Sequence, residues 1–198
     1  MGSRTTRRHF LEGSAAAAFG VAVPLSAVEG APVMGEPAPE GRQVSPEGRL
    51  RELGIELPVA PRPVATYVPA VQVGNLLYVA GHTPRGPDGS PGHQGKVGGD
   101  LSLEEGRAAA RAVGMNILAT VRGALGSLDR VARLVRTFGM VNAVPDFTRQ
   151  PQVINGFSDF MVEVFGEEAG KGTRAAVGMG SLPGGMAVEI ETYWEIRT

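Results

Sequence analysis

Residues 102–125 impose the strongest constraint on how this chain can fold. Ser102-Leu103-Glu104-Glu105 is a capping box, in which the Ser hydroxyl and a Glu carboxylate satisfy free N–H groups reciprocally. Behind it, Leu103, Ala110, Val113, Ile117, Val121 and Leu125 recur at helical spacing, with Arg107, Arg111 and Arg122 off that stripe. A helix with one apolar side needs a sheet or another helix to cover it, and β-rich runs stand on both sides in sequence. Residues 64–73 and 76–80 are separated by Gly74-Asn75, a two-residue hairpin signal. Residues 82–99 read as a Gly/Pro loop, and 131–144 as a further strand. A second helix is predicted with Pro151 near its start and Val153, Phe157, Phe160 and Val164 as its buried stripe. Gly166 is its expected stop. Residues 174–180 and 186–197 close the chain as strands joined by a turn through Leu182-Pro183-Gly184-Gly185.

The order ββαβαββ predicts an α+β sandwich, two helices packed on one face of a mixed sheet. In the last strand Ala187, Glu189, Glu191, Tyr193 and Glu195 share one face, while Val188, Ile190 and Trp194 share the other. One sheet face is thus left without helices, and self-association is expected to bury it.

Ahead of the domain, placed at residues 64–198, seven of the 15 prolines fall within residues 31–63, so no regular sheet starts there. Residues 45–63 read as an arm with a short helix: Ser45 as N-cap, Pro46 first, Leu50 and Leu53 on one face, Gly54 as stop. Residues 28–44 read as a flexible linker. Residues 1–27 carry Arg7-Arg8-His9-Phe10-Leu11 and then an Ala-rich stretch, the layout of a signal peptide. This leader resembles a twin-arginine (Tat) signal, with Glu12 where a Lys is often found. It implies a periplasmic or secreted protein, the alternative being a cytoplasmic one with a basic leader.

Charge and composition exclude several functions. The 198 residues hold 19 Lys+Arg and 20 Asp+Glu, a net charge of −1. Loss of Arg4, Arg7, Arg8 and Glu12 with the leader moves this to −3. Such a chain has no field for gathering nucleic-acid phosphates. Cys is absent, which excludes disulfides, thiolate metal sites and Cys nucleophiles. No apolar run reaches the roughly 18 residues of a membrane span. Gly178-Met179-Gly180 fits no dinucleotide fingerprint, and Val97 after Gly95-Lys96 excludes a P-loop. His82 and His93, with Asp88 and Asp100 nearby, lack a metal-ligand spacing and read as solvated loop residues. No metal or other cofactor is expected.

Arg174 is the residue with the most chemistry to explain. It starts a strand that continues Ala175-Ala176-Val177, and an Arg entering a buried strand needs a carboxylate. That carboxylate is either a protein acid, such as Glu189 on the next strand, or a ligand gripped bidentately by the planar guanidinium.

The run Arg174-Ala175-Ala176-Val177, then Leu182-Pro183, then Val188-Glu189-Ile190-Glu191 resembles the C-terminal signature of the RidA/YjgF family of reactive-intermediate deaminases. Tyr67 and Gly74-Asn75-Leu76-Leu77-Tyr78-Val79-Ala80-Gly81-His82-Thr83-Pro84 resemble its first hairpin and following turn. Asp146-Phe147 and Ile154-Asn155 resemble the approach to its second helix, so that the likeness spans roughly residues 64–198. The resemblance implies a chorismate-mutase-like fold and a homotrimer with inward-facing sheets and clefts between subunits. It implies Arg174 as the carboxylate-binding group, Glu189 as the acid that positions water, Tyr67 as a cleft hydroxyl, and Asn155 and Gly81 as further substrate contacts. The implied reaction is cofactor-free hydrolysis of small enamine or imine acids, of the 2-aminoacrylate and 2-iminobutanoate type, to a 2-keto acid and ammonia. Departures mark a divergent subgroup. Ala80 stands where the family has Ser, Gly172-Thr173 where it has Pro-Ala, and the span from Asp146 to Arg174 is longer. A non-catalytic trimer binding a small carboxylic acid or a partner protein is the alternative.

Overall fold

The computed structural model describes residues 44–63, 65–86 and 88–197. The predicted leader and all of the predicted linker except Val44 lie outside the described residues, as does Val64, where the predicted domain begins.

Helix α1 (Pro46–Glu52) starts with Ser45 accepting from the Gly48 N–H, and Pro46 fills a first-turn position whose missing N–H costs nothing. Leu50 is buried in the main core, whereas Leu53 is exposed and caps the helix. Glu47 ties α1 down: its carboxylate accepts from Arg122 Nε at 3.0 Å, Arg122 NH2 at 2.7 Å and the Leu128 N–H at 2.9 Å.

Five strands form one mixed sheet: β1 (Ala70–Val73), β2 (Leu76–His82), β3 (Val131–Asn142), β4 (Thr173–Met179) and β5 (Val188–Ile196), ordered β1-β2-β5-β3-β4. All neighbours are antiparallel except β3 and β4. Helices α2 (Leu103–Leu125) and α3 (Gln150–Gly170) pack on one face of the sheet. This is the predicted α+β architecture of two long helices against one mixed sheet, with α1 added outside α3. The capping box forms as expected: Ser102 Oγ accepts from the Glu105 N–H at 3.2 Å, and Glu105 Oε2 accepts from the Ser102 N–H at 2.7 Å. Gly114 lets α2 approach α3, since a Cβ there would stand 2.8 Å from the Phe160 ring. Trp194, Phe157 and Phe160 are fully buried between the layers, each contributing on the order of 2–3 kcal/mol.

Several local expectations are corrected. The first strand is confined to Ala70–Val73, because Pro69 interrupts the ladder and residues 65–68 are exposed. Gly166 breaks α3 without ending it: at φ 79° it kinks the helix, which resumes to Gly170. The last two strands are not hairpin neighbours. The α3 crossover lays β4 parallel beside β3 at the sheet edge, and β5, apolar on its core face, inserts between β2 and β3. His82 is no loop residue, but the buried last residue of β2.

The side-chain alternation of β5 is realised: Val188, Ile190, Thr192, Trp194 and Ile196 are buried, and Glu189, Glu191, Tyr193 and Glu195 face the other way, partly exposed. Around them the helix-free face carries Val71, Val73, Tyr78 and Phe138. The rings of Tyr78 and Tyr193 are 4.8 Å apart, and the Arg136 guanidinium lies 5.6 Å from the Tyr193 ring. No helix among the described residues is long and apolar enough to cross a membrane.

Candidate functional site

Glu189 sits on the helix-free face of β5, opposite Met140 of β3. Its neighbour across the sheet is the irregular end of β2, where the register with β5 shifts between Val79 and His82. Gly81 lies in that shift, and its missing side chain is the space the Glu189 carboxylate occupies. Both residues line a cavity of about 660 Å³, together with Tyr67, Glu191, Arg62 and Arg85. Half-burial raises the Glu189 carboxyl above the ordinary glutamate range, and the charge of Glu191 raises it further. Glu191 in turn accepts from the Tyr193 hydroxyl, which is shifted upward.

One rim of this cavity is the turn between β4 and β5, through Pro183 and Gly184. The loop before α2 clasps that turn: Gln94 Nε2 donates to the Gly184 carbonyl at 2.8 Å, and the Gly95 N–H to Gly185 at 2.8 Å. Lys96 Nζ donates to the Gly180 carbonyl at 2.7 Å and to Asn142 Oδ1 at 2.8 Å. Behind the cavity, His82 is held by two hydrogen bonds. Its Nδ1–H donates to the Ala80 carbonyl at 2.7 Å, so Nε2 accepts from the Thr120 hydroxyl at 2.8 Å. Among the described residues no three His, Asp or Glu side chains are placed to hold a metal ion.

Arg174 lies elsewhere. It is opposite Thr137, on the helix-covered side of the sheet, and points to α3. Its NH1 donates to Asn155 Oδ1 at 2.8 Å and to Ser158 Oγ at 3.0 Å. Both acceptors are neutral, and no carboxylate of the described residues lies within 4.0 Å of this exposed guanidinium. The protein acid Glu189, considered as its internal partner, is on the opposite side of the sheet.

The five residues singled out from sequence thus fall into two groups within one chain: Tyr67, Gly81 and Glu189 around the cavity, Arg174 and Asn155 at the sheet edge. Sequence reasoning missed Ser158, which stands three residues after Asn155 on the same helix face. It also missed the cavity arginines Arg62 and Arg85, which sit in no recognisable motif, and the pairing of His82 with Thr120, which lies 38 residues away on α2.

An α+β sandwich with one helix-free sheet face, a carboxyl-lined cavity and an acid-free arginine at the edge strand defines the class. The chain belongs to the YjgF family: residues 47–185 match the family model described as "YjgF/chorismate_mutase-like, putative endoribonuclease". It is 44% identical over 148 residues to Protein TCP17 of Trypanosoma cruzi, covering 75% of this chain and 92% of that protein. The crystal structure of Atu1372 from Agrobacterium tumefaciens, described as of unknown function, is 44% identical with a TM-score of 0.70, covering 77% and 92% of the two chains. RidA from an Antarctic Psychrobacter is 30% identical with a TM-score of 0.50, covering 69% and 94%.

Proposed function

We propose that this protein is a RidA-like hydrolytic deaminase that converts small enamine or imine carboxylic acids to the 2-keto acid and ammonia. The observation that carries this reading is Arg174, a guanidinium at a strand end with two neutral hydrogen-bond acceptors and no acid partner among the described residues. Such a group retains donors and charge for a ligand carboxylate, and two charge-assisted hydrogen bonds supply about 1.5–3 kcal/mol each.

Arg174 and Glu189 face opposite sides of one sheet, so they meet a single substrate only across a subunit boundary. A homotrimer closed over the helix-free faces supplies that boundary, with Arg174 and Asn155 of one subunit facing Tyr67, Gly81 and Glu189 of the next. In such a cleft the substrate enters as an imine, an enamine first tautomerising to it by moving a proton from nitrogen to carbon. The protonated Glu189 carboxyl, favoured by its raised pKa, donates to the imine nitrogen. Its carboxylate then accepts a proton from water as the oxygen bonds to the imine carbon. Glu189 next gives that proton to the carbinolamine nitrogen and takes the hydroxyl proton, so the C–N bond breaks, ammonia leaves and the C=O of the keto acid forms. The step needs only positioning and proton transfer. We also propose export through the twin-arginine leader.

A second reading, a non-catalytic trimer that binds a carboxylic acid, draws on Ala80, which leaves the cavity without the hydroxyl found there in the resembled family. Coupling the purified protein to an amino-acid oxidase that generates 2-iminobutanoate separates the two. Acceleration of keto-acid release that is lost in Arg174→Ala supports the enzyme; identical traces for wild type and variant leave only the binder. An endoribonuclease activity is disfavoured by the charge of −3 carried by residues 28–198.

A further inference from the structure

The cavity around Glu189 is larger than the chemistry proposed for it requires. In the single chain, before any neighbouring subunit covers it, this open cleft measures about 660 Å³, and a four-carbon imino acid is a fraction of that size. The cleft's lining is largely apolar, through Pro61, Pro63, Pro69, Ala80 and Met186, but it also carries charge. Arg62 and Arg85 line it, and both also line a smaller adjoining cavity of about 120 Å³, so they stand where the two spaces meet. Neither is among the residues that carry the family resemblance.

The surroundings of Arg85 are fixed. Its carbonyl accepts from the buried Asn116 Nδ2 at 3.4 Å, the same amide donates to the Thr83 carbonyl at 3.3 Å, and Arg85 forms a β-bridge with Pro91. Its NH1 donates to the Gly89 carbonyl at 3.1 Å. The acid of the same loop, Asp88, is committed to Ser90, whose N–H and hydroxyl lie 3.0 and 2.6 Å from its carboxylate. No carboxylate of the described residues lies within 4.0 Å of Arg62 or Arg85. Two arginines without acid partners and two glutamates thus share one cavity.

Resting on the deaminase reading, we infer that the substrate is a dicarboxylic 2-imino acid, whose second carboxylate is bound by Arg62 and Arg85. The α-carboxylate goes to Arg174, the imine nitrogen to Glu189, and the side-chain acid to the cavity arginines. A planar guanidinium held at its backbone suits a carboxylate better than a flexible ammonium would.

The test compares the imines that amino-acid oxidases release from glutamate and from norvaline, which differ in one end carboxylate. Wild type is expected to favour the glutamate imine about tenfold or more in kcat/KM. Arg62→Gln and Arg85→Gln each lower that ratio at least fivefold, mainly through KM, and the double variant brings it close to one. A wild-type ratio near one, or a ratio unmoved by the variants, overturns the inference while leaving the deaminase reading intact. Failure of that reading shows differently, as no turnover of either imine. Calorimetry with 2-oxoglutarate and 2-oxopentanoate then still decides the point. Tighter binding of the dicarboxylate, lost in the double variant, supports the second carboxylate site, and equal binding of the two removes it.

Discussion

Gly81 and Glu189 share one volume: a Cβ on Gly81 would overlap Glu189 Oε1, and would stand 3.1 and 3.3 Å from Cδ and Cγ of the same side chain. The obstructing atoms belong to the mobile end of a half-exposed side chain, not to backbone. A methyl at position 81 therefore displaces the carboxylate instead of unfolding the strand. Gly81→Ala is expected to change thermal stability by less than about 1 kcal/mol while cutting kcat at least tenfold in the oxidase-coupled assay. A large loss of stability with kcat preserved would show that Gly81 serves the backbone and not the carboxylate.

Glu189 itself gives a pH-dependent prediction. Burial and Glu191 raise its pKa in the folded chain above the unfolded value. Between those two values the folded state binds more protons, so stability falls as pH rises through that window. At neutral pH the ionised group is a net cost. Glu189→Gln is therefore expected to raise Tm at about pH 8 and to leave it nearly unchanged at about pH 4, with activity lost at both. Melting curves at the two pH values check the sign, and an equal Tm shift at both pH values would rule out the titration as its cause.

The pair His82 and Thr120 works in the opposite direction. Burial lowers the His82 pKa, opposed in part by the Ala80 carbonyl that accepts from Nδ1–H. The unfolded chain then binds a proton first on acidification, so stability drops as pH falls below the ordinary histidine value of 6.5. Thr120→Val removes the hydroxyl that donates to Nε2 and leaves a buried acceptor without a partner, at a cost of about 1–3 kcal/mol near neutral pH. Chemical denaturation at neutral and mildly acidic pH measures both effects.

What could be read from the sequence was local. The Ser102–Glu105 capping box needs four consecutive residues, and the two faces of β5 follow from strict alternation, so both were legible. The position of β4 was not: β4 and β5 are consecutive apolar runs joined by a Gly-rich turn, which looks like a hairpin in any window containing only them. Their separation by β3 follows from the α3 crossover, a preference that acts over some forty residues. The same limit hid the surroundings of Arg174. Its acceptors Asn155 and Ser158 lie 19 and 16 residues away and meet it only because α3 packs beside β4. The Gly-rich stretch after His82 makes it look like loop, whereas it ends β2 and is buried against Thr120 of α2, 38 residues on.

The placement of Arg174 and Glu189 on opposite sides of the sheet makes the proposed trimer, with its cleft between subunits, directly testable by mixing. On that proposal the Arg174→Ala and Glu189→Gln proteins are each expected to be inactive, since every cleft lacks one of the two groups. Trimers assembled from an equal mixture, after dissociation and refolding together, contain some clefts in which the Arg174 of one subunit meets the Glu189 of its neighbour, both intact. With random assembly about a quarter of the clefts are of this kind, and specific activity should return to about that fraction of wild type. Phe138→Glu, which introduces a charge into the helix-free face, should lower both the sedimentation coefficient and the activity. If the two groups instead served one substrate within a single chain, no mixture of the two variants would recover any activity.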